Sequence, residues 1–139
     1  MTASPGVSTH LHHVGFVVAS IEASVEGFAQ ALGLPWQIRI FDDPVQRVRV
    51  TFLGGPGAPR FELVEPNGAD SPVKSFLSHG GGLHHVCYEV DDIDTQLRAQ
   101  RAAGSIIVRQ PVPAVAFDGR RIGWFYTRSR LLVEYLERS

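Results

Sequence analysis

Cysteine, lysine and charge of one sign are all scarce in this chain. A single cysteine, Cys87, among 139 residues excludes an internal disulfide. It fits a reducing compartment, so a cytoplasmic location is expected. Lysine occurs once, as Lys74, and the other twelve basic residues are Arg. Thirteen Lys and Arg against fourteen Asp and Glu leave a formal net charge of −1. Such a balance offers no field for nucleic acid or an anionic membrane surface, and neither is expected as a partner. No apolar run approaches the roughly 20 residues that span a bilayer. The opening MTASPGVSTH has neither a basic stretch nor an apolar core. It is expected to be a short flexible leader rather than a secretory signal.

What is present is enough for a core. With 44% hydrophobic residues, a chain of this length is expected to form one compact domain, residues 1–139. Within it the sequence repeats. HLHHVGFVVASI at 10–21 returns as GLHHVCYEVDDI at 82–93. An offset of 72 lays His13 on His85, Val14 on Val86, Phe16 on Tyr88 and Ile21 on Ile93. Near the ends of the copies it lays Phe61 on Val133, Glu62 on Glu134 and Leu63 on Tyr135. The period is long and there are two copies, which points to two packed modules rather than a solenoid.

Both copies share one grammar. Residues 11–18 alternate and are rich in Val and Phe, which predicts a strand. Ser20 is the expected N-cap of a helix over 21–32, with Ile21, Val25, Phe28, Ala29 and Leu32 on its apolar face and Gly33 as its stop. Strands are expected over 36–41, 47–53 and 61–65. In the second copy, a strand at 83–90 leads to Asp92 as N-cap, a helix to about 103, and Gly104. Strands are then expected at about 105–109, 113–118, 121–127 and 131–137. The modules span about 11–66 and 83–137. The linker, 67–82, is expected to hold a short helix beginning at Ser71-Pro72 and a Gly-rich hinge. The pattern is βαβββ twice, an α+β class.

Strand periodicity gives the histidines their meaning, because alternate residues share a face. His84, Val86, Tyr88 and Val90 are expected to meet the helix, while His85, Cys87 and Glu89 look the other way. The same phase puts His12 toward the first helix and His13 away from it. Glu62 and Glu134 fall on the side of His13 and His85. A buried carboxylate needs a partner. Two imidazoles and two carboxylates together suit a divalent ion such as Co, Ni, Mn or Zn, with positions left for water or substrate. Cys87 is expected to be a small filler and Glu89 to be solvated. Trp36, Trp124 and Phe125 suit either a cup wall or the core. Arg120 and Arg121 are expected to face solvent, with gripping an anionic substrate as the alternative.

The double βαβββ pattern and these four positions resemble the vicinal oxygen chelate superfamily, the glyoxalase and dioxygenase group. The resemblance is nearest to methylmalonyl-CoA epimerases and covers nearly all of residues 11–137. It is carried by HHVGFVV, FELVEPNGADSPVKSFL, GLHHVCYEVDDID, FDGRRIGWFY and LLVEYLE. It implies a curved eight-stranded mixed sheet around a metal-binding cup, and a homodimer. It also implies metal ligands at His13, Glu62, His85 and Glu134, with Glu134 and Glu62 as the groups that move the proton. The activity implied is a metal-dependent epimerase or isomerase of a small acyl thioester, working by enolate stabilisation. The alternatives are a lactoylglutathione lyase-like isomerase and a small-molecule binding or resistance protein. Some epimerases carry a Glu on the third strand of the first module, where this chain has Val50. The segment before the last strand is TRSR, 127–130, in place of the family's HPK and Gly-rich turn.

Overall fold

A computed structural model describes residues 7–138. Among these are eight strands and three helices, the α+β class expected, with the strands divided four to each repeat. Strand β1 runs Val7–Val17, helix α1 Ile21–Leu32, β2 Trp36–Asp43, β3 Val48–Leu53 and β4 Phe61–Pro66. A short helix α2, Lys74–Ser78, precedes β5 (Gly82–Val90), α3 (Ile93–Ala102), β6 (Ile106–Pro113), β7 (Arg121–Tyr126) and β8 (Leu132–Glu137). The chain divides into two compact units. The first comprises residues 13–84; the second takes in His12 and the strand before it together with the chain from His85 on.

In the first unit the strands pair in the order β2-β3-β4-β1. Pairs β2·β3 and β3·β4 are antiparallel, while β1·β4 is parallel. Ser20 caps α1 by accepting from the Ala23 N–H, and Gly33 ends it in the left-handed conformation. Ile21 and Val25 pack on Val18, Leu53 and Leu63, which is the apolar face expected of this helix. Leu32 departs from that expectation: it closes the last turn at the surface and is 40% exposed.

The second unit repeats the plan with the order β5-β8-β7-β6. Asp92 caps α3 through the Thr95 N–H. Ile93 and Leu97 pack on Val90, Phe125, Val133 and Tyr135. Phe125 is therefore core, and Trp36 packs partly buried against the helix-side core of its own unit.

Three further sequence expectations need correction. The two strands expected at 105–109 and 113–118 are one strand, β6, followed by a single 3-10 turn at Val115–Phe117. Pro111 and Pro113 lack a ladder donor, but β6 ends the strand order, where a missing donor is tolerated. Asp118 and Gly119 then turn the chain with positive φ. The linker helix starts at Lys74 rather than at Ser71-Pro72, because residues 68–74 form successive tight turns: the Ser71 N–H donates to the Gly68 carbonyl and the Lys74 N–H to the Ser71 carbonyl. Val7–His10, expected in a leader, belong to β1; the remainder of that leader lies outside the described residues. No helix among the described residues is long and apolar enough to cross a membrane.

Candidate metal centre

In the first unit, β1 and β4 run parallel with Gly15 opposite Glu62. His13 lies two residues before Gly15, so its ring falls on the same face as the Glu62 carboxylate. Nε2 of His13 stands 3.5 Å from Oε1 of Glu62, and both residues are buried. On β3, Phe52 is in register with Glu62. Its ring meets the His13 imidazole edge to face, with centroids 5.5 Å apart and planes at 76°.

The second unit builds the same group. Cys87 of β5 is opposite Glu134 of β8, and Nε2 of His85 is 3.6 Å from Oε1 of Glu134. His85 and Glu134 are each about 2% exposed. Trp124 of β7 is in register with Glu134 and meets His85 edge to face at 4.6 Å and 80°. Phe52 and Trp124 are separated by the same 72 positions as the ligand candidates. Phe52 was missed in the sequence because a lone aromatic in an apolar strand carries no chemical signal; the repeat offset alone could have found it.

A ring nitrogen and a carboxylate oxygen 3.5 Å apart are too far for a good hydrogen bond. They suit two atoms sharing one ion: ligands about 2.1 Å from a metal at a near-tetrahedral angle lie roughly 3.4 Å from each other. In each unit the donors, one imidazole and one carboxylate, are of the kind that holds a divalent first-row ion. His13, Glu62, His85 and Glu134 each offer one buried ligand atom.

Residues around these pairs settle other expectations. Val50 is buried, in register with Val64, so this position supplies an aliphatic wall. Cys87 is fully buried beside Ala114, Ile122 and Leu136, with Trp124 packed against them, as a filler would be. His84 packs its ring on Phe76 of α2 and His12 on Phe117. Glu89 is not solvated as expected. It sits half-buried and accepts a 2.8 Å hydrogen bond from Arg120. Burial pushes its carboxyl up, but the Arg120 hydrogen bond and the neighbouring positive charges outweigh this and hold it below the ordinary range.

Arg121 is not free in solvent either. It pairs with Asp94 and with both oxygens of Glu137. In the first unit Arg49 joins Glu22 and Glu65 in the same way. The carboxylates of Glu65 and Glu137 also accept the first N–H of α1 and of α3, from Ile21 and Ile93. Each clamp thus ties a helix start to its sheet. Both of these arginines are committed to protein carboxylates, as is Arg120.

A strand-helix-strand grammar repeated twice, with a buried His–Glu pair in each copy, defines a duplicated glyoxalase-like fold class. The chain is a member of the glyoxalase/bleomycin resistance protein/dioxygenase superfamily, whose family model matches residues 12–124. Within it, the chain is similar to the ethylmalonyl-CoA/methylmalonyl-CoA epimerase of Cereibacter sphaeroides: 32% identical over 81% of this chain and 84% of that protein. The crystal structure of methylmalonyl-CoA epimerase from Mycobacterium tuberculosis superposes with a TM-score of 0.83 at 26% identity, covering 100% of this chain and 93% of that one. A lactoylglutathione lyase of Haemophilus influenzae is 27% identical over 84% of this chain and 92% of its own length.

Proposed function

We propose that this protein is a metal-dependent epimerase of a small 2-substituted acyl thioester, of the methylmalonyl-CoA epimerase type. The observation that carries the reading is the recurrence, in both units, of a buried His–Glu pair 3.5–3.6 Å apart. The similarity to the Cereibacter sphaeroides enzyme supports the substrate class. His13, Glu62, His85 and Glu134 would together hold one divalent ion, Co, Ni, Mn or Zn. When bound, the ion supplies Lewis acidity to two vicinal substrate oxygens and so acidifies the adjacent C–H.

The residues of the chain do the rest. A carboxylate of Glu134 or Glu62 takes the proton from C2 and one of them returns it, giving either configuration. The aliphatic Val50 contributes no third carboxylate, so proton transfer falls to these two. Phe52 and Trp124 hold the imidazoles in orientation and keep water from them. The family resemblance further implies a homodimer, and the single cysteine fits a cytoplasmic enzyme. Sedimentation should then show about twice the 15.2 kDa chain mass.

The test is solvent deuterium incorporation at C2 of methylmalonyl-CoA by the metal-supplied protein. No incorporation, combined with turnover of the methylglyoxal–glutathione hemithioacetal, would replace this reading with the lyase one. That second reading is favoured by one observation, the similarity to the Haemophilus influenzae enzyme. Binding of thioester without exchange would indicate a binding protein.

A further inference from the structure

Within the second unit, Arg109 carries a buried guanidinium nitrogen that no protein acceptor meets. Arg109 on β6 is in register with Trp124 of β7, Trp124 with Glu134 of β8, and Glu134 with Cys87 of β5. Laterally paired residues project from the same side of a sheet. Arg109 therefore shares the face of Trp124, Glu134 and His85. Two strand spacings of about 4.8 Å set its backbone roughly 10 Å from that of Glu134.

Three observations set Arg109 apart from Arg120, Arg121 and Arg138 of this unit. Its Nε is buried and has no hydrogen-bond partner. By contrast Arg120, Arg121 and Arg138 pair with Glu89, with Asp94 and Glu137, and with Asp91. The register of β6 shifts on both sides of Arg109, between it and Ile107 and between it and Val112; such bulges re-aim a side chain next to a site. The residue 72 positions earlier, Gln37, is tied down, its Nε2 donating to the Gly54 carbonyl at 2.7 Å. A buried guanidinium N–H without an acceptor is costly unless something supplies one. The wall shared by Trp124, Ile122 and Val112 is apolar, and low polarity strengthens a charged contact.

We propose that Arg109 is the specificity-determining cation of the site, and that it receives an oxyanion of the substrate. This rests on the thioester reading above, and it narrows the substrate to one with a negative group away from the reacting carbon's metal-facing oxygens. The oxyanion is either a carboxylate of the acyl group or a phosphate of its thiol carrier.

The test follows the Nε–Hε resonance of Arg109 in 15N-labelled, Zn2+-supplied protein. The probes are methylmalonate, methylmalonyl-N-acetylcysteamine, which has no phosphate, and coenzyme A. A shift with the first two assigns a carboxylate; a shift with coenzyme A alone assigns a phosphate. Arg109→Gln should weaken the same probe about 10- to 100-fold, and Arg109→Lys should recover part of that. If no probe moves the resonance, or if Arg109→Gln binds as tightly as wild type, the assignment is overturned. Should Arg109→Gln fail to fold, the wild-type titration decides alone. A shifted resonance without deuterium exchange into any thioester keeps this inference and removes the epimerase reading. Exchange with an unchanged KM in Arg109→Gln does the reverse.

Discussion

Arg121 grips Glu137 with two parallel hydrogen bonds, Nε to Oε1 at 3.0 Å and Nη2 to Oε2 at 2.9 Å. Seventy-two residues earlier, Arg49 reaches Glu65 at 2.8 Å. Both carboxylates also accept the first N–H of a helix. One guanidinium therefore links two strands and a helix start in each unit.

Replacing that guanidinium should loosen the helix start without touching the ligand pairs. Arg121 is more than a third exposed, so solvent screening limits its worth. Arg121→Leu is expected to cost about 1 kcal/mol, or a fall of about 3–4 °C in Tm for a chain of this size. The difference from wild type should shrink in high salt. An unchanged Tm in low salt would mean that the clamp contributes nothing.

Acid should act through the same groups. The Arg121 hydrogen bonds hold the Glu137 carboxyl below its ordinary value of 4.5, and Arg49 does the same for Glu22. A carboxyl depressed in the folded state stabilises it fully above the unfolded value, and that contribution is lost as pH falls through the folded one. Tm should accordingly be flat near neutrality on account of these groups and drop below about pH 4.5. Arg121→Leu should show a shallower acid drop. A steeper one would contradict the assignment.

The ligand carboxylates should separate binding from proton transfer. Glu134→Gln keeps a carbonyl oxygen for the ion, but an amide is no base near neutral pH. Metal analysis should still find bound ion, while deuterium exchange at C2 falls about 10²- to 10⁴-fold. Wild-type exchange rates in both Glu134→Gln and Glu62→Gln, with ion bound, would show that neither carries the proton.

Metal removal should be visible without any substrate. Ion at 100 times its dissociation constant stabilises a protein by about 2.7 kcal/mol, so chelator should lower Tm by several degrees. His13→Ala and His85→Ala should lose that increment while unfolding cooperatively. A chelator-insensitive Tm in metal-supplied wild type would count against a bound ion.

Gly54 is a purely structural control. Its φ is +85°, and a Cβ there would run into the Pro59 carbonyl oxygen. Gly54→Ala combines a strained conformation with a backbone clash, and about 2 kcal/mol or more should be lost. Denaturant melts of Gly54→Ala at wild-type stability would show that this turn can rearrange.

Much of this was legible because strand and helix periods differ and the copies check each other. Ser20, Gly33 and Asp92 mark helix ends by their own chemistry. His13 and Glu62 declare a face through alternation. Residues whose role depends on a lateral neighbour were not legible. Arg121 resembles a surface arginine until β8 is placed beside it, and Phe52 resembles any core aromatic until Glu62 is opposite. Strand β6 reads as two because its prolines look like breaks in one dimension, whereas a strand at the end of the order has one side without a ladder, where a missing donor is tolerated.

The two tryptophans have unequal surroundings. Trp36 donates its indole N–H to the Thr51 hydroxyl on the helix side, whereas Trp124 lies against His85. Intrinsic fluorescence should therefore contain one silent emitter and one that reads the imidazole beside it. Capture of His85 by a quenching ion such as Co2+ should dim only the second. Trp124→Phe should abolish the response and leave the remaining emission steady, so the protein carries its own optical titrator for the centre.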